Sequence, residues 1–403
     1  MNKLIASFLL IVVYSSCANN NSETKKDNNS EVIMLSSPVS DSSAEPYLYT
    51  ALNGIVYLSW IEKKGNEHTL KFSTLINKIW SQPITINSGN NWFVNWADYP
   101  VVSADTSGHM LAHFLEKIDT AKFTYDIKLM ASADAGKTWS NPKTLHDDGK
   151  KAEHGFVTIV PFKNQFIISW LDGRKTAMEA DEDHHGGHHG EMTLRAAIMD
   201  NNGKKINDWE LDERICDCCQ TSIALTDNGP IVVYRDRSDE EIRDMSIVRY
   251  MNGTWTEPKT VFADKWKIAG CPVNGPRTDA IGNHLAIAWF TMQEKKGQVK
   301  IIFSEDGGAT FKEPIQVDEG NPIGRVDVVM LDEKTAMISW MEGSTIKALK
   351  INADGTKGKP LIIAESSDSR TSGFPQMTKA GNQLIFAWTD SKEKTIKLAS
   401  LQL

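Results

Sequence analysis

The feature that most constrains the fold is a short apolar strand pattern that recurs seven times along the chain. Each copy reads as an alternating apolar strand that ends near a bulky anchor residue and is followed by a polar turn. The anchors are Trp60, Phe114, Trp170, Arg235, Trp289, Trp340 and Trp388. Their spacing of about 50–65 residues lies in the range of propeller repeats, so the whole chain is expected to be one repeat array.

Each anchor strand has the same neighbours, so each unit is expected to contain four strands. One strand precedes the anchor strand, another follows it, and a polar turn with an aromatic residue leads into a fourth strand. This fourth segment is seen in TWSNPKTL (138–145), TWTEPKTV (254–261) and TFKEPIQV (310–317). Seven such antiparallel units with almost no helical periodicity predict an all-β, seven-bladed β-propeller; six blades is the alternative if one unit is an insertion.

The two ends of the chain suggest how the ring closes and where the protein resides. The last unit lacks a fourth strand, and the segment 31–36 is predicted to supply it within a propeller domain at 31–403. A positive charge at Lys3, an apolar run at 4–14 and two small residues precede Cys17. This order resembles a bacterial lipoprotein signal, which implies a signal peptide at 1–16 and lipid attachment at Cys17. A polar, flexible tether is expected at 17–30. An ordinary cleaved signal is the alternative.

These features together predict a location in the bacterial cell envelope, facing the periplasm or the cell surface. The membrane would be a partner through the lipid anchor. The net charge of −8 argues against nucleic acid as a partner.

Two turns of the repeat carry one motif, in which Ser-x-Asp-x-Gly-x-Thr precedes an aromatic residue. Its residues are Ser132, Asp134, Gly136 and Trp139 in the first turn, and Ser304, Asp306, Gly308 and Phe311 in the second. The aspartates can accept backbone N–H bonds across the turn, and the glycines permit unusual backbone angles. The motif resembles the Asp-box of bacterial neuraminidase repeats, which implies a sialidase-like propeller. These residues are expected to be structural.

The sialidase resemblance also implies a set of functional residues that is incomplete in this chain. Sialidases of this type use three arginines to grip the substrate carboxylate, a Tyr–Glu pair as nucleophile and an Asp as acid/base. This chain has no Arg-Ile-Pro near its start and no tyrosine after Tyr250. A sialidase-like exo-glycosidase and a non-catalytic glycan-binding protein therefore both remain open.

Chemically unusual residues collect on one predicted face of the ring, here called the top face. It carries the links between blades and the loops between second and third strands, whereas the Asp-box turns lie on the bottom face. Arginine binds carboxylate or sulfate bidentately, and indole rings stack on sugars. The substrate-binding candidates of these two kinds are Arg235, Arg237, Arg277, Arg325, Arg370, Trp92 and Trp96. The candidate catalytic carboxylates are Asp98, Asp236 and Glu240.

Arg235 stands out among these candidates because it occupies an anchor position that is aromatic in the other six units. An arginine inside a strand is costly unless its charge is paired, and Asp236 or Glu240 could pair with it. Two interpretations remain open, an anion-gripping cluster with Arg237 and Arg277 or a buried ion pair between blades. The leading prediction is a top-face pocket for a carbohydrate or another small anionic ligand.

Cysteines and histidines on the same face support a second prediction. The cysteines are Cys216, Cys218, Cys219 and Cys271, and the histidines are His154, His184, His185, His188 and His189. A disulfide from Cys271 to Cys218 or Cys219, a Zn or Cu site, and a redox-active dithiol all fit thiols outside the cytoplasm. A metal-binding or redox propeller is therefore the alternative function, and a protein-interaction scaffold is a third.

Overall fold

The computed structural model describes residues 31–121, 123–177 and 190–403. In this part of the chain the strands form seven separate antiparallel sheets, which follow one another as the blades of a ring. The predicted seven-bladed β-propeller is confirmed, and the six-bladed alternative is wrong because all seven units form blades. Within the same residues, no helix is long and apolar enough to cross a membrane.

The first four blades follow a short N-terminal strand, β1 (Val32–Leu35). Blade 1 contains β2 (Ser43–Thr50), β3 (Val56–Lys64), β4 (Glu67–Ile76), β5 (Ile79–Trp80) and β6 (Ile84–Gly89). Blade 2 contains β7 (Val102–Ala104), β8 (Met110–Lys117), β9 (Tyr125–Ser132) and β10 (Lys143–Thr144). Blade 3 contains β11 (His154–Phe162), β12 (Gln165–Asp172), β13 (Thr193–Met199) and β14 (Lys205–Asp212). Blade 4 contains β15 (Ser222–Thr226), β16 (Gly229–Arg235), β17 (Met245–Met251), β18 (Thr254–Trp255) and β19 (Lys259–Phe262).

The last three blades repeat the same order. Blade 5 contains β20 (Arg277–Ile281), β21 (His284–Gln293), β22 (Lys296–Ser304) and β23 (Ile315–Gln316). Blade 6 contains β24 (Pro322–Met330), β25 (Thr335–Glu342), β26 (Thr345–Asn352) and β27 (Leu361–Glu365). Blade 7 contains β28 (Gln376–Ala380), β29 (Gln383–Asp390), β30 (Thr395–Gln402) and β1, and a 3-10 turn at Arg370–Ser372 precedes it.

The N-terminal strand closes the ring. β1 runs antiparallel to β30, with Val32 opposite Leu401 and Leu35 opposite Leu398. This pairing gives blade 7 its fourth strand and covers an edge that would otherwise expose unpaired backbone groups.

Buried tryptophans at the anchor positions fill the space between neighbouring blades. Four of them also have their indole N–H bonded to a carboxylate, which satisfies the one polar atom of each ring. The pairs are Trp60 with Glu62, Trp170 with Asp172, Trp289 with Asp264 and Trp340 with Glu342, at 2.6–3.1 Å. The repeated anchor thus combines a large apolar contact with a satisfied polar group.

The Asp-box turns close on themselves at the bottom face, between the third and fourth strands of blades 2 and 5. In the first turn, Asp134 accepts the backbone N–H and the hydroxyl of Thr138 at 2.9 and 2.7 Å. Gly136 has a φ of +81°, and a Cβ on it would lie 2.3 Å from a ring carbon of Phe72. The second turn repeats these bonds around Asp306. The carboxylates therefore hold turns and do not face the top of the ring.

Candidate functional site

A small cavity lies on the axis of the ring. Residues from the first strands of blades 1, 3 and 5, and from the links that lead into blades 2 and 4, enclose it. Those that carry polar side chains include Tyr47, Asp98, Tyr99, Gln220 and Arg277. Its volume of about 20 Å³ accommodates about one water molecule. Any larger ligand would therefore rest at the mouth of the cavity and insert only one small group.

Three polar atoms of this lining are buried and lack a hydrogen-bond partner within the described residues. They are Asp98 Oδ2, Tyr99 OH and Arg277 Nη2. The other oxygen of Asp98 accepts the backbone N–H of Phe156 at 2.8 Å, and the Arg277 guanidinium lies 5.6 Å from the Tyr99 ring centroid. Unpaired buried polar groups are rare in folded proteins. Three of them around one cavity indicate a place for a polar ligand or water.

Burial favours the protonated forms of the acidic side chains in this lining, and these forms can donate hydrogen bonds. Burial raises the pKa of Asp98 well above its ordinary value, and the bond from Phe156 offsets this only in part. Burial also raises the pKa of Tyr47 to about 12, despite the nearby charge of Arg277. A buried carboxyl that retains its proton can donate a hydrogen bond to an oxyanion or act as a general acid.

An aromatic pair adjoins the axial residues. Trp96, two residues before Asp98, is half-buried and stacks on Phe374 with ring centroids 5.5 Å apart and an interplanar angle of 18°. The guanidinium of the exposed Arg370 lies 5.9 Å from the Trp96 ring centroid. The predicted residues Asp98, Trp96, Arg277 and Arg370 therefore lie in or beside one site.

Arg235 is not part of this site: the anion-gripping interpretation is wrong, and the second interpretation is right about a buried position between blades but wrong about the ion pair. The side chain is only 2% exposed, and neither Asp236 nor Glu240 pairs with it. Its donors instead reach three backbone carbonyls, those of Asn274, Arg243 and Phe290, at 2.6–3.1 Å. The guanidinium also lies 4.8 Å from the Trp266 ring centroid. Backbone dipoles thus replace an ion pair, and the arginine joins blade 4 to blade 5.

Two further substrate-binding candidates are structural in the same way. Arg325 is 5% exposed, and its donors are occupied by atoms of the link into blade 7, namely Ser372 Oγ and the carbonyls of Asp368, Ser369 and Gly373. Trp92 is buried and stacks on Phe114 at 4.3 Å between ring centroids. Both side chains are thus engaged in contacts within the fold, so both predictions are corrected.

The remaining polar candidates of blade 4 also lie away from the cavity lining. Arg237 pairs with Glu241 at 2.7 Å. Asp236 accepts bonds from Ser246 Oγ at 2.7 Å and from the Arg237 backbone N–H at 2.6 Å. Glu240 is exposed and accepts a bond from Ser238 Oγ at 2.9 Å. Of the three predicted catalytic carboxylates, the structure therefore places only Asp98 at the axis.

Three axial residues were missed by the sequence prediction, namely Tyr47, Tyr99 and Gln220. Tyr47 lies within the first strand of blade 1, whereas Tyr99 and Gln220 lie in the links just before the first strands of blades 2 and 4, and these first strands surround the axis in a propeller. Their position relative to the first strands was the sequence signal that could have identified them. The sequence prediction instead followed residue type, which favoured arginines and tryptophans.

The four cysteines converge beside blades 4 and 5. Cys216 Sγ lies 3.5 Å from Cys219 Sγ and 3.9 Å from Cys218 Sγ, and the Cys218 thiol also contacts Cys271. The structure records Cys216, Cys218, Cys219 and Cys271 as free thiols, so it contains no disulfide between Cys271 and Cys218 or Cys219. The predicted proximity of the two links is nevertheless present.

The surroundings shift the pKa values of the cysteine thiols in opposite directions. Burial raises the pKa of Cys216, but bonds from the Cys218 and Cys219 thiols and the charges of Arg243 and Arg235 outweigh burial and hold it well below its usual range. Burial raises the pKa of Cys219 to about 12. Contacts with neighbouring thiols therefore lower the pKa of Cys216 and, through Cys218, also that of Cys271.

His154 lies in a different cluster, at the start of β11. Its ring stacks on His146 with centroids 3.6 Å apart, and both rings contact Asp148, at 2.6 and 3.2 Å. Asp172 lies 3.6 Å from His154 Nε2. Such a group can hold a metal ion, but it is separate from the cysteines.

Several predictions fall outside the described residues. They are the signal peptide at 1–16, the lipid attachment at Cys17, the tether at 17–30, and the metal ligands His184, His185, His188 and His189.

Comparison with solved structures shows other proteins of this fold. The chain is similar to the polysaccharide lyase Uly1, at 10% identity over 89% of each chain and a TM-score of 0.52. It is also similar to the NanB sialidase from Streptococcus pneumoniae, at 10% identity over 92% of this chain and 94% of that one, with a TM-score of 0.47. A third similar structure is the Hadza microbial sialidase Hz136, at 14% identity and a TM-score of 0.43. That match covers 74% of this chain but only 63% of the Hz136 chain.

Comparison at the sequence level identifies the family. None of the curated proteins compared with the chain matches it significantly. The family model described as a BNR repeat-like domain matches residues 64–382, which is most of the chain and includes both Asp-box turns. The protein therefore belongs to the family of BNR repeat-like domain proteins.

Proposed function

We propose that the axial site binds an anionic saccharide and holds its acidic group in the cavity. The observation that supports this is that Arg277, Tyr99 and Asp98 all line the cavity, while Arg277 Nη2, Tyr99 OH and Asp98 Oδ2 are buried without a hydrogen-bond partner in the described part of the chain. With Asp98 protonated, all three atoms are donors, and one carboxylate oxygen inserted into the cavity, which has room for about one water molecule, can accept hydrogen bonds from them. The raised pKa of Asp98 supports the protonated form.

The size of the cavity determines how a saccharide would lie. A cavity of about 20 Å³ admits a small group but no sugar ring. The ring would therefore remain at the mouth, beside the exposed part of the half-buried Trp96, whose indole also packs against Phe374, Arg325 and Arg370. Indole faces stack on the apolar faces of sugars. Acidic group and ring would thus be recognised by different parts of one site.

Binding is better supported than cleavage. Hydrolysis of a glycosidic bond ordinarily requires two carboxyl groups, one of which acts as the acid. Asp98 fits the acid, but both oxygens of the nearby Asp327 already accept backbone N–H groups, from Val328 and Met377 at 2.9 and 2.7 Å. The fold shared with a polysaccharide lyase agrees with a saccharide ligand without specifying the chemistry.

Calorimetric titration of the purified protein tests the proposal. The ligands are sialyllactose, a glucuronate-containing oligosaccharide and neutral lactose. We expect binding of at least one acidic saccharide and none of lactose. Arg277→Met should weaken that binding at least about tenfold, since bonds to a charged group contribute about 1.5–3 kcal/mol.

A matched control separates the site from general charge effects. Arg249→Met makes the same change beside the bottom-face Asp-box turn, where Arg249 Cδ lies 3.6 Å from a Cβ built on Gly308, and should leave binding unchanged. Equal affinity for lactose and the acidic sugars, or no binding of either acidic sugar at millimolar concentration, would contradict the proposal. The latter result would favour the interaction-scaffold alternative.

The same ligands distinguish a binding protein from an enzyme. Release of new reducing ends would indicate a glycosidase, and an ultraviolet absorbance from unsaturated uronate would indicate a lyase. If either product forms, Asp98→Asn should abolish it while acidic saccharide still binds. Binding without any product identifies a glycan-binding protein.

We further propose that the protein is a lipoprotein of the bacterial cell envelope, anchored through Cys17. The support is the order of positive charge, apolar run and small residues before this cysteine. Cys17→Ala should move the protein from the membrane fraction to the soluble fraction. An unchanged membrane fraction would contradict the anchor.

A further inference from the structure

We propose that Cys216, Cys218 and Cys219 form a thiolate site for a soft d10 cation, Cu(I) or Zn(II), with Cys271 as a fourth ligand. The proposal is independent of saccharide binding. It concerns a cluster in the link into blade 4, and Cys271 reaches it from the link into blade 5.

The spacing of the sulfur atoms carries the proposal. In a tetrahedral site with metal–sulfur bonds of about 2.3 Å, neighbouring sulfurs lie about 3.8 Å apart. Cys216 Sγ lies 3.5 and 3.9 Å from the sulfurs of Cys219 and Cys218, and all three lie within 4.8 Å of one another. A disulfide would instead need about 2.05 Å. The three thiols thus already approximate one face of a coordination tetrahedron.

Nitrogen donors around the sulfurs provide a second, separate observation. Arg243 Nη1 donates to Cys216 Sγ at 3.1 Å, and the backbone N–H of Asn274 donates to Cys219 Sγ at 3.4 Å. Arg243 is buried, and Glu241 fixes its other terminal nitrogen at 2.8 Å. Bonds of this kind stabilise negative sulfur and orient metal ligands. They are arranged for thiolates more than for neutral thiols.

The charge of a loaded site can be balanced locally. Several thiolates buried together repel one another unless cations compensate them. A bound metal ion and the guanidinium of Arg243 supply positive charge directly at the sulfurs. Soft thiolate ligands select Cu(I) and Zn(II) over harder cations. The donor set therefore specifies the class of ion.

The loop that carries the ligands is fixed on both sides. The backbone N–H of Cys216 donates to the carbonyl of Arg235 at 3.1 Å. Gln220, directly after Cys219, donates to the carbonyl of Ala97 at 2.6 Å and accepts from the backbone N–H of Gly275 at 3.0 Å. The exposed Cys271 contacts Cys218 and offers a path for the ion from solvent.

Metal titration of the reduced, full chain tests the proposal. Cu(I) and Zn(II) are added separately without oxygen, each against a coloured chelator, and Co(II) serves as a spectroscopic probe. We expect one ion per chain and a near-ultraviolet sulfur-to-cobalt charge-transfer band. Comparison of the Cu(I) and Zn(II) competition titrations identifies the preferred ion. Cys271→Ser distinguishes three ligands from four by the intensity of the cobalt bands.

Matched variants identify the ligands. Loss of a hydrogen-bond partner of a metal ligand typically weakens metal binding by about 10–100-fold. Cys216→Ser and Cys218→Ser each remove a direct ligand, so each should weaken metal binding by more than about 100-fold. Because Cys216 is buried, the half-buried Cys218 provides the variant with less risk of misfolding. His146→Gln alters the separate histidine cluster and should leave stoichiometry and affinity unchanged.

Three results would each overturn the proposal. In the first, neither ion competes with the chelator. In the second, His146→Gln and not the cysteine variants abolishes binding. In the third, metal-free protein isolated without reductant has two fewer titratable thiols than reduced protein, which would assign the cluster to a disulfide.

Discussion

Replacement of Arg235 by methionine tests whether this buried charge holds two blades together. The guanidinium makes four hydrogen bonds to three backbone carbonyls, from blade 4, from blade 5 and from the link between them. Methionine occupies similar space and keeps the contact with Trp266, but it donates nothing. Arg235→Met therefore removes the bonds with little change in packing volume.

The expected loss follows from two opposing effects. Hydrogen bonds from a charged group contribute about 1.5–3 kcal/mol each, so four of them give roughly 6–12 kcal/mol. Removal of the buried guanidinium also relieves a desolvation cost of several kcal/mol. We expect the free energy of unfolding to fall by about 3–5 kcal/mol, which matches the cost of breaking a buried charged interaction.

Urea unfolding, followed by tryptophan fluorescence, measures this loss. Arg237→Met is the matched control, because Arg237 lies two residues away and forms a partly exposed pair with Glu241. That variant should lose at most about 1 kcal/mol. A loss below about 1 kcal/mol for Arg235→Met, or equal losses for the two variants, would refute the structural role that the carbonyl bonds indicate.

Two further predictions address the axial site and the bottom-face turns. Burial raises the pKa of Asp98, so the folded chain binds this proton more tightly than the unfolded chain, and stability falls as pH rises from the ordinary carboxyl range through the raised pKa. Asp98→Asn should therefore have a higher Tm than the wild type at neutral pH, and the two Tm values should become equal near about pH 4. A Tm difference that does not change with pH would contradict burial of an ionisable group. Gly136→Ala should cost about 2–4 kcal/mol, because a Cβ would meet Phe72 at 2.3 Å, whereas Gly355→Ala, with a similar φ of +90° and open space, should cost only about 1 kcal/mol. Equal urea midpoints for the two glycine variants would show that the contact with Phe72 relaxes freely.

The fold was predictable because propeller repeats leave redundant signals in the sequence. Seven anchor residues, a constant order of strands and two Asp-box turns each indicate the same architecture. The anchor tryptophans are large enough to fill the space between blades, so their spacing along the chain reflects a spacing in the structure. A repeat unit whose own sequence pattern is weak is still identified by its spacing from the other units.

The candidate site was only partly predictable because residue type does not determine exposure. Arg235 and Arg325 resembled anion-binding residues, but backbone carbonyls occupy their donors and bury them. Arg277 and Asp98 look equally ordinary in the sequence, yet they retain unpaired atoms at the axis. The difference lies in long-range contacts between blades, which no local pattern records. Their place in the chain, within or just before the first strand of a blade, would have identified Tyr47 and Tyr99.

A single glutamine physically connects the two proposed sites. Gln220 follows Cys219 directly and lines the axial cavity. Its amide bonds the carbonyl of Ala97, next to Asp98, and the backbone N–H of Gly275, two residues before Arg277. Any shift of the cysteine loop on metal binding would therefore move a residue that positions both halves of the axial site. Saccharide titrations of metal-free and metal-loaded protein measure this coupling as a change in saccharide affinity. Because coupling is reciprocal in free energy, the same factor gives the effect of saccharide on metal affinity.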